Sequence, residues 1–261
     1  MKTLIMKFGG ASVATPAQFN QIADIILERA SCYERIAVVV SAMGNTTDQL
    51  IALAKEVNER PPHRELDMLI SVGERISISL LAMALEKKKR QGISFTGSQS
   101  GIITTAHHTE ARIVEIRPFR LLPPLQEGKI VIVAGFQGVS REGEITTLGR
   151  GGSDTTAVAL GVALFAEKVE FFKDVPGIGE EDPKLSPNAE IFSHLSYEKA
   201  LLIVRKGAKI LHERSILLAE KNQLPLHVLS FNDPEMRLSR GSWIGPMERK
   251  LREGAEIYEE C

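Results

Sequence analysis

Ile36-Ala37-Val38-Val39-Val40-Ser41-Ala42-Met43-Gly44-Asn45-Thr46-Thr47-Asp48 carries the fold in miniature. Its apolar start has no polar break, as in a strand buried on both faces of a parallel sheet. It stops in a polar, turn-like segment, and a helical pattern follows through Val57. The same succession recurs outward from it. Leu4 to Phe8 ends in Gly9-Gly10-Ala11-Ser12-Val13, and Thr15-Pro16 then opens a helix with threonine as cap and proline in the first turn. Phe19, Ile22, Ala23, Ile26 and Leu27 keep helical spacing through about Ala30. Lys129 to Phe136 and Val169 to Lys173 are further buried strands. Strands alternating with helices predict an α/β fold with a mainly parallel sheet covered on both faces. Ligands of such sheets bind at the carboxyl ends of strands. The polar segments after Phe8, Val40, Phe136 and Lys173 all fall there.

Between these strands, Leu66 to about Arg90 reads as a long helical region interrupted at Gly73. Residues Ile93 to Pro118 read as short β segments with turns, and Leu121 to Gln126 as a short helix. Helices are expected over Asp154 to about Ala166, Ser196 to Val204 and Ala208 to Lys221, with a final strand over Pro225 to Ser230. His107-His108 reads as an exposed loop, and Trp243 as packing for a terminus.

The 261 residues are 43% hydrophobic and carry a formal net charge of −1, enough for a large core and with no bias toward nucleic acid or an anionic membrane surface. Cys32 and Cys261 form neither metal spacing nor disulfide framework, which suits a reducing cytoplasm. No signal peptide is expected from Met1 to Lys7, and no uninterrupted apolar run reaches the roughly 20 residues that span a bilayer.

Thr146-Thr147-Leu148-Gly149-Arg150-Gly151-Gly152-Ser153-Asp154-Thr155-Thr156-Ala157 joins a glycine-rich loop to an apolar helix. Glycine N–H groups and a helix N-terminus receive anions, and Arg150 offers a fork for carboxylate or phosphate. A tight turn with a helix capped by Ser153 or Asp154 fits the same residues. Lys7 beside Gly9-Gly10 suits phosphates, yet the chain has neither a Gly-x-x-x-x-Gly-Lys-Ser/Thr loop nor a His-Arg-Asp catalytic loop.

Seven motifs occur in order: Lys7-Phe8-Gly9-Gly10-Ala11-Ser12-Val13, Val40-Ser41-Ala42-Met43-Gly44, Gly73-Glu74-Arg75-Ile76-Ser77, Phe95-Thr96-Gly97-Ser98-Gln99, the run from Gly149 to Asp154, Asp174-Val175-Pro176-Gly177-Ile178, and Gly207-Ala208-Lys209-Ile210-Leu211-His212. Together they resemble the catalytic domain of the aspartate kinases, within the amino-acid kinase family, over about residues 3 to 244. The resemblance implies a three-layer α/β/α sandwich with a mainly parallel central sheet, ATP with Mg²⁺ over its C-terminal half and an amino acid over its N-terminal half. It implies catalytic roles for Lys7, Asp154 and Lys209. Ser41, Thr47, Glu74, Arg150, Gly151, Gly152 and Ser153 would meet the amino acid. Lys7, Gly9, Gly10, Ser12, Lys173, Asp174, Gly179, Lys184, Lys209 and Ile210 would meet ATP. No protein metal site is implied, since Mg²⁺ would be held mainly by the nucleotide phosphates. The implied reaction converts L-aspartate and ATP to 4-phospho-L-aspartate and ADP, the entry to lysine, threonine and methionine biosynthesis.

The chain departs from the family pattern at four places. Lys173 stands where a hydroxyl residue is usual, Gly179 where an aromatic ring is usual, Lys184 for an arginine and Glu213 for a proline. The nucleotide is therefore expected to be held differently. Residues 1–244 read as the catalytic domain and 245–261 as a short charged tail, too short for the regulatory ACT domain of the family, since stable domains rarely fall below about 40 residues. Expected consequences are no feedback inhibition by lysine or threonine, or regulation by a separate chain, with a homodimer as the assembly. The alternatives are a related kinase acting on another amino acid or carboxylate, and a catalytically weak kinase-like subunit.

Overall fold

The computed structural model describes residues 2–179, 190–233, 241–246 and 258–259. Its main sheet has eight strands: β1 (Thr3–Phe8), β2 (Arg35–Val40), β3 (Gly92–Phe95), β6 (Ile130–Ala134), β9 (Lys168–Lys173), β10 (His194–Leu195), β11 (Leu226–Ser230) and β12 (Ser242–Ile244). They lie in the order β10-β12-β11-β9-β1-β2-β6-β3. Every neighbouring pair is parallel except β11 with β12.

Burial on both faces explains the unbroken apolar runs. Leu4, Met6 and Phe8 of β1 pack with α1 (Pro16–Ala30) and α4 (Val72–Lys87), whereas Ile5 faces the core under α6 (Gly152–Ala163), α7 (Tyr197–Arg205) and α8 (Glu213–Lys221). The result is the expected three-layer sandwich. Thr15 and Gln18 close the predicted cap of α1, each side chain meeting the other residue's backbone N–H.

A second sheet lies beside the first. It orders β5 (Ile113–Ile116), β4 (Ile102–Thr104), β7 (Gln137–Ser140) and β8 (Ile145–Thr147). Strands β4 and β5 fall within the β segments expected over Ile93 to Pro118, whereas β7 and β8 were not expected. β7 and β8 are too short and too polar to show an alternation. The edge strand β10 and its neighbour β12 escaped for the same reason of length. The remaining helices are α2 (Thr46–Val57), α3 (His63–Ile70) and α5 (Leu122–Gln126).

Three expected boundaries move. The long helical region breaks at Ser71, between α3 and α4, and not at Gly73. Gly73 lies inside α4, where a Cβ would come within 2.7 Å of the Ala42 Cβ. α6 begins at Gly152 and ends at Ala163, capped by Gly151 at φ +71° and by neither Ser153 nor Asp154. α8 begins at Glu213, not Ala208. Gly207, at φ +108°, turns the chain after α7, and His212 Nδ1 caps α8 by accepting from Arg214 N at 3.4 Å. Lys209 therefore sits in the irregular segment between α7 and α8 and starts no helix.

By length and composition alone His63–Lys87, which spans α3 and α4, passes as long and apolar enough to cross a bilayer, although charged residues interrupt it. Half of its most apolar window is buried inside the molecule, as in a core helix. Of the expected tail, residues 247–257, 260 and 261 lie outside the described residues. Glu259 is anchored: its N–H donates to Ile113 O at 3.0 Å and its carboxylate pairs with Arg214 at 2.7 Å.

Candidate active site

The carboxyl ends of β1 and β9 lie side by side, with Lys7 paired to Phe171 in register. Above them α6 opens. This places Lys7, Asp154 and Lys173 in one cluster. Lys7 Nζ is 2.5 Å from Asp154 Oδ1, and Lys173 Nζ is 3.5 Å from Asp154 Oδ2. Lys7 and Asp154 are buried. Burial pushes the Asp154 carboxyl up, but the ammonium groups of Lys173 and Lys7 outweigh it and hold it at about 2. Burial brings Lys173 down to about 8, with Asp154 opposing and Lys7 assisting.

Lys7 and Asp154 form one end of a cleft of about 540 Å³ that also receives Gly10, Ser41, Thr47, Glu74 and the run from Gly149 to Ser153, whereas Lys173 meets the cleft only through Asp154. Glu74, in the first turn of α4, is 2% exposed. Its Oε1 accepts from Ala42 N at 3.0 Å, and its Oε2 has no partner among the described residues. Burial raises this carboxyl to about 7, against the lowering effect of its two backbone hydrogen bonds. Arg150 reaches the cleft from the exposed side of the loop. Gly151 must be glycine: its φ is left-handed, and a Cβ would lie 2.1 Å from the His212 ring.

One organising residue was missed. Asp67 of α3 is fully buried and accepts from Thr147 Oγ1 at 2.6 Å, Thr147 N at 3.1 Å and Thr109 N at 3.0 Å, with His108 Nδ1 at 2.8 Å. It ties α3 to β8 and to the loop at 107–109, and both Thr109 and Thr147 line the cleft. The signal available in the sequence was an acidic residue among Ile70, Ser71 and Glu74 on the inward side of a helix. His108 is consequently half-buried, correcting its expected exposure; His107 is exposed.

The other predicted residues are dispersed. Gly9 lies beside the Lys7 ammonium, and Ser12 is buried with its N–H donating to Gly9 O at 2.9 Å. Asp174 is exposed at the end of β9, and Gly179 is buried in a bridge to Ile191. Ile210 packs against the core and Lys209 is exposed, neither lining the cleft. Lys184 lies outside the described residues. Among the described residues no three His, Cys, Asp or Glu side chains gather as a metal site.

A three-layer sandwich with a buried lysine–aspartate pair at the carboxyl ends of its strands defines the class as an α/β protein with a charged cleft at that end of its sheet. The signature of the amino acid kinase family matches residues 2–230, and the chain belongs to that family. Aspartokinase of Mycolicibacterium smegmatis is 47% identical over 257 residues, covering 97% of this chain and 61% of the relative. The chain thus spans about three-fifths of the length of the curated relatives it matches. Aspartate kinase from Synechocystis superposes with a TM-score of 0.83 at 41% identity over 96% of this chain and 40% of that one. E. coli aspartokinase III, solved with aspartate and ADP, superposes with a TM-score of 0.84 at 29% identity over 95% of this chain and 65% of that one.

Proposed function

We propose that the chain transfers the γ-phosphoryl group of ATP to the β-carboxylate of L-aspartate, giving 4-phospho-L-aspartate and ADP. The observation that carries this reading is the unpartnered Glu74 Oε2, buried in the same cleft as Arg150 and the Lys7–Asp154 pair. A buried carboxylate oxygen without a partner is costly, and an α-ammonium group satisfies it. Arg150 then holds the α-carboxylate, with Ser41, Thr47 and the N–H groups of Gly151, Gly152 and Ser153 around the rest. The likeness to aspartokinases supports the same acceptor.

The β-carboxylate is ionised at neutral pH and needs no general base. One of its oxygens attacks the γ-phosphorus, the bond to the β,γ-bridging oxygen breaks, and ADP leaves with the electron pair. Lys7 offsets charge on the transferring group and Asp154 fixes the direction of Lys7. Gly9, Gly10 and Ser12 line the phosphate path, and Asp174, Gly179, Lys184, Lys209 and Ile210 belong to the nucleotide side. Mg²⁺, carried by the phosphates, would supply further charge neutralisation.

The test is ADP release with L-aspartate, L-glutamate, N-acetylglutamate and UMP as acceptors and Lys7→Ala as control. L-Aspartate alone should give turnover, reduced at least 100-fold in the variant. Turnover with another acceptor and none with L-aspartate would overturn the assignment.

A further inference from the structure

β9 ends in a lysine at a place where a hydroxyl residue is usual in the resembling family, and this lysine turns inward. Its side chain is 17% exposed and its Nζ lies 3.5 Å from Asp154 Oδ2, while Lys7 Nζ holds the other oxygen of the same carboxylate. One buried and one half-buried ammonium group thus share one carboxylate. Desolvating an ammonium is costly unless it is compensated, and a single carboxylate compensates only one. Asp174, next in the chain, also faces Lys173 but is exposed to solvent, so the inward groups Lys7, Lys173 and Asp154 keep an excess positive charge beside the cleft, which is an unmet demand for an anion. Since β1 and β9 are adjacent and parallel, the two ammonium groups flank one position from neighbouring strand ends. Neither Lys173 nor Lys209, the cation expected from the family pattern, lines the cleft itself, but Lys173 touches the lining residue Asp154 whereas Lys209 is exposed in the irregular segment before α8.

We propose that Lys173 is a second catalytic cation, gripping the transferring phosphoryl group together with Lys7, while Asp154 holds both ammonium groups in place before the nucleotide arrives. This rests on the reading of the cleft as a phosphoryl-transfer site. Lys173 exchanges no proton in the step: it stays an ammonium and donates to an equatorial oxygen of the phosphoryl group as the bond to ADP breaks. The described charged groups facing it are Asp154 from α6, Lys7 from β1 and its neighbour Asp174. With Lys173 brought down to about 8, its charge is lost as pH rises through that value.

The experiment compares wild type with Lys173→Ala and Lys173→Arg in three readouts. Calorimetric titration with MgATP needs no acceptor; Lys173→Ala should bind at least tenfold more weakly. Turnover with L-aspartate should fall about 100-fold in Lys173→Ala and recover in part in Lys173→Arg. In wild type kcat/KM for ATP, which reports free-enzyme ionisations, should decline above about pH 8, and in Lys173→Arg that decline should move up by more than one pH unit. Lys173→Ala within threefold of wild type in both ATP affinity and turnover overturns the proposal, as does a decline near pH 8 that persists in Lys173→Arg. If wild type binds MgATP yet releases no ADP with L-aspartate, the acceptor assignment fails and the calorimetric comparison alone decides Lys173.

Discussion

Glu74 meets the cleft with one oxygen held by the Ala42 N–H and the other unpartnered, and its carboxyl is raised to about 7. Below that pH it is neutral and attracts no ammonium group. KM for L-aspartate should therefore climb as pH falls from 8 to 6. Glu74→Gln should raise KM roughly 30-fold, equivalent to about 2 kcal/mol for a charged hydrogen bond, and flatten its pH dependence. The stability sign is opposite. A carboxyl whose folded value exceeds its unfolded value stabilises when protonated, and that contribution is lost as pH rises from about 4.5 through about 7. Urea denaturation should thus find Glu74→Gln gaining on wild type at pH 8 relative to pH 5. Glu74, Lys7 and Arg150 were legible because each stands in a motif. Asp67 was not: its partners come from 41 and 80 residues away, and no local pattern announces them.

At the scale of elements, legibility follows the physical signal each one carries. α1 shows its cap, its proline and its apolar stripe in the sequence, and it forms where expected. α6 starts two residues early because a left-handed glycine caps it, and glycine offers no side chain to read. β7 and β8 are pinned by pairing across the small sheet, which short polar segments do not advertise. Gly151 and Gly207 give a contrast in cost. Both have left-handed φ, but a Cβ on Gly151 enters the His212 ring and one on Gly207 meets nothing within 4 Å. Gly151→Val should cost about 3 kcal/mol in urea denaturation, from strained φ plus overpacking, and Gly207→Ala about 1 kcal/mol.

For the molecule as a whole, the layers were legible because unbroken apolar strands fit only a doubly covered sheet, and the cleft lies where such sheets bind ligands. The half of the small sheet made by β7 and β8 was the illegible part, and β8 supplies Thr147 to the cleft wall. Ligands that bind only the folded chain stabilise it by mass action. At a hundredfold excess over Kd, MgATP should add about 2.7 kcal/mol and raise Tm by about 5–10 °C for a chain of this size. L-Aspartate at the same relative excess should do likewise, and the two together should exceed either alone. Scanning calorimetry with each ligand and both checks this; no shift with L-aspartate would speak against its site.

All twelve residues of α6 are buried. From Ala157 to Ala163 the helix is apolar all round and has no face that water tolerates, so its outward side depends on α8, which follows it in the chain. During synthesis α6 leaves the ribosome well before α8 does. In that interval the second half of α6 is an uncovered apolar surface, open to a chaperone and to mispairing with another copy.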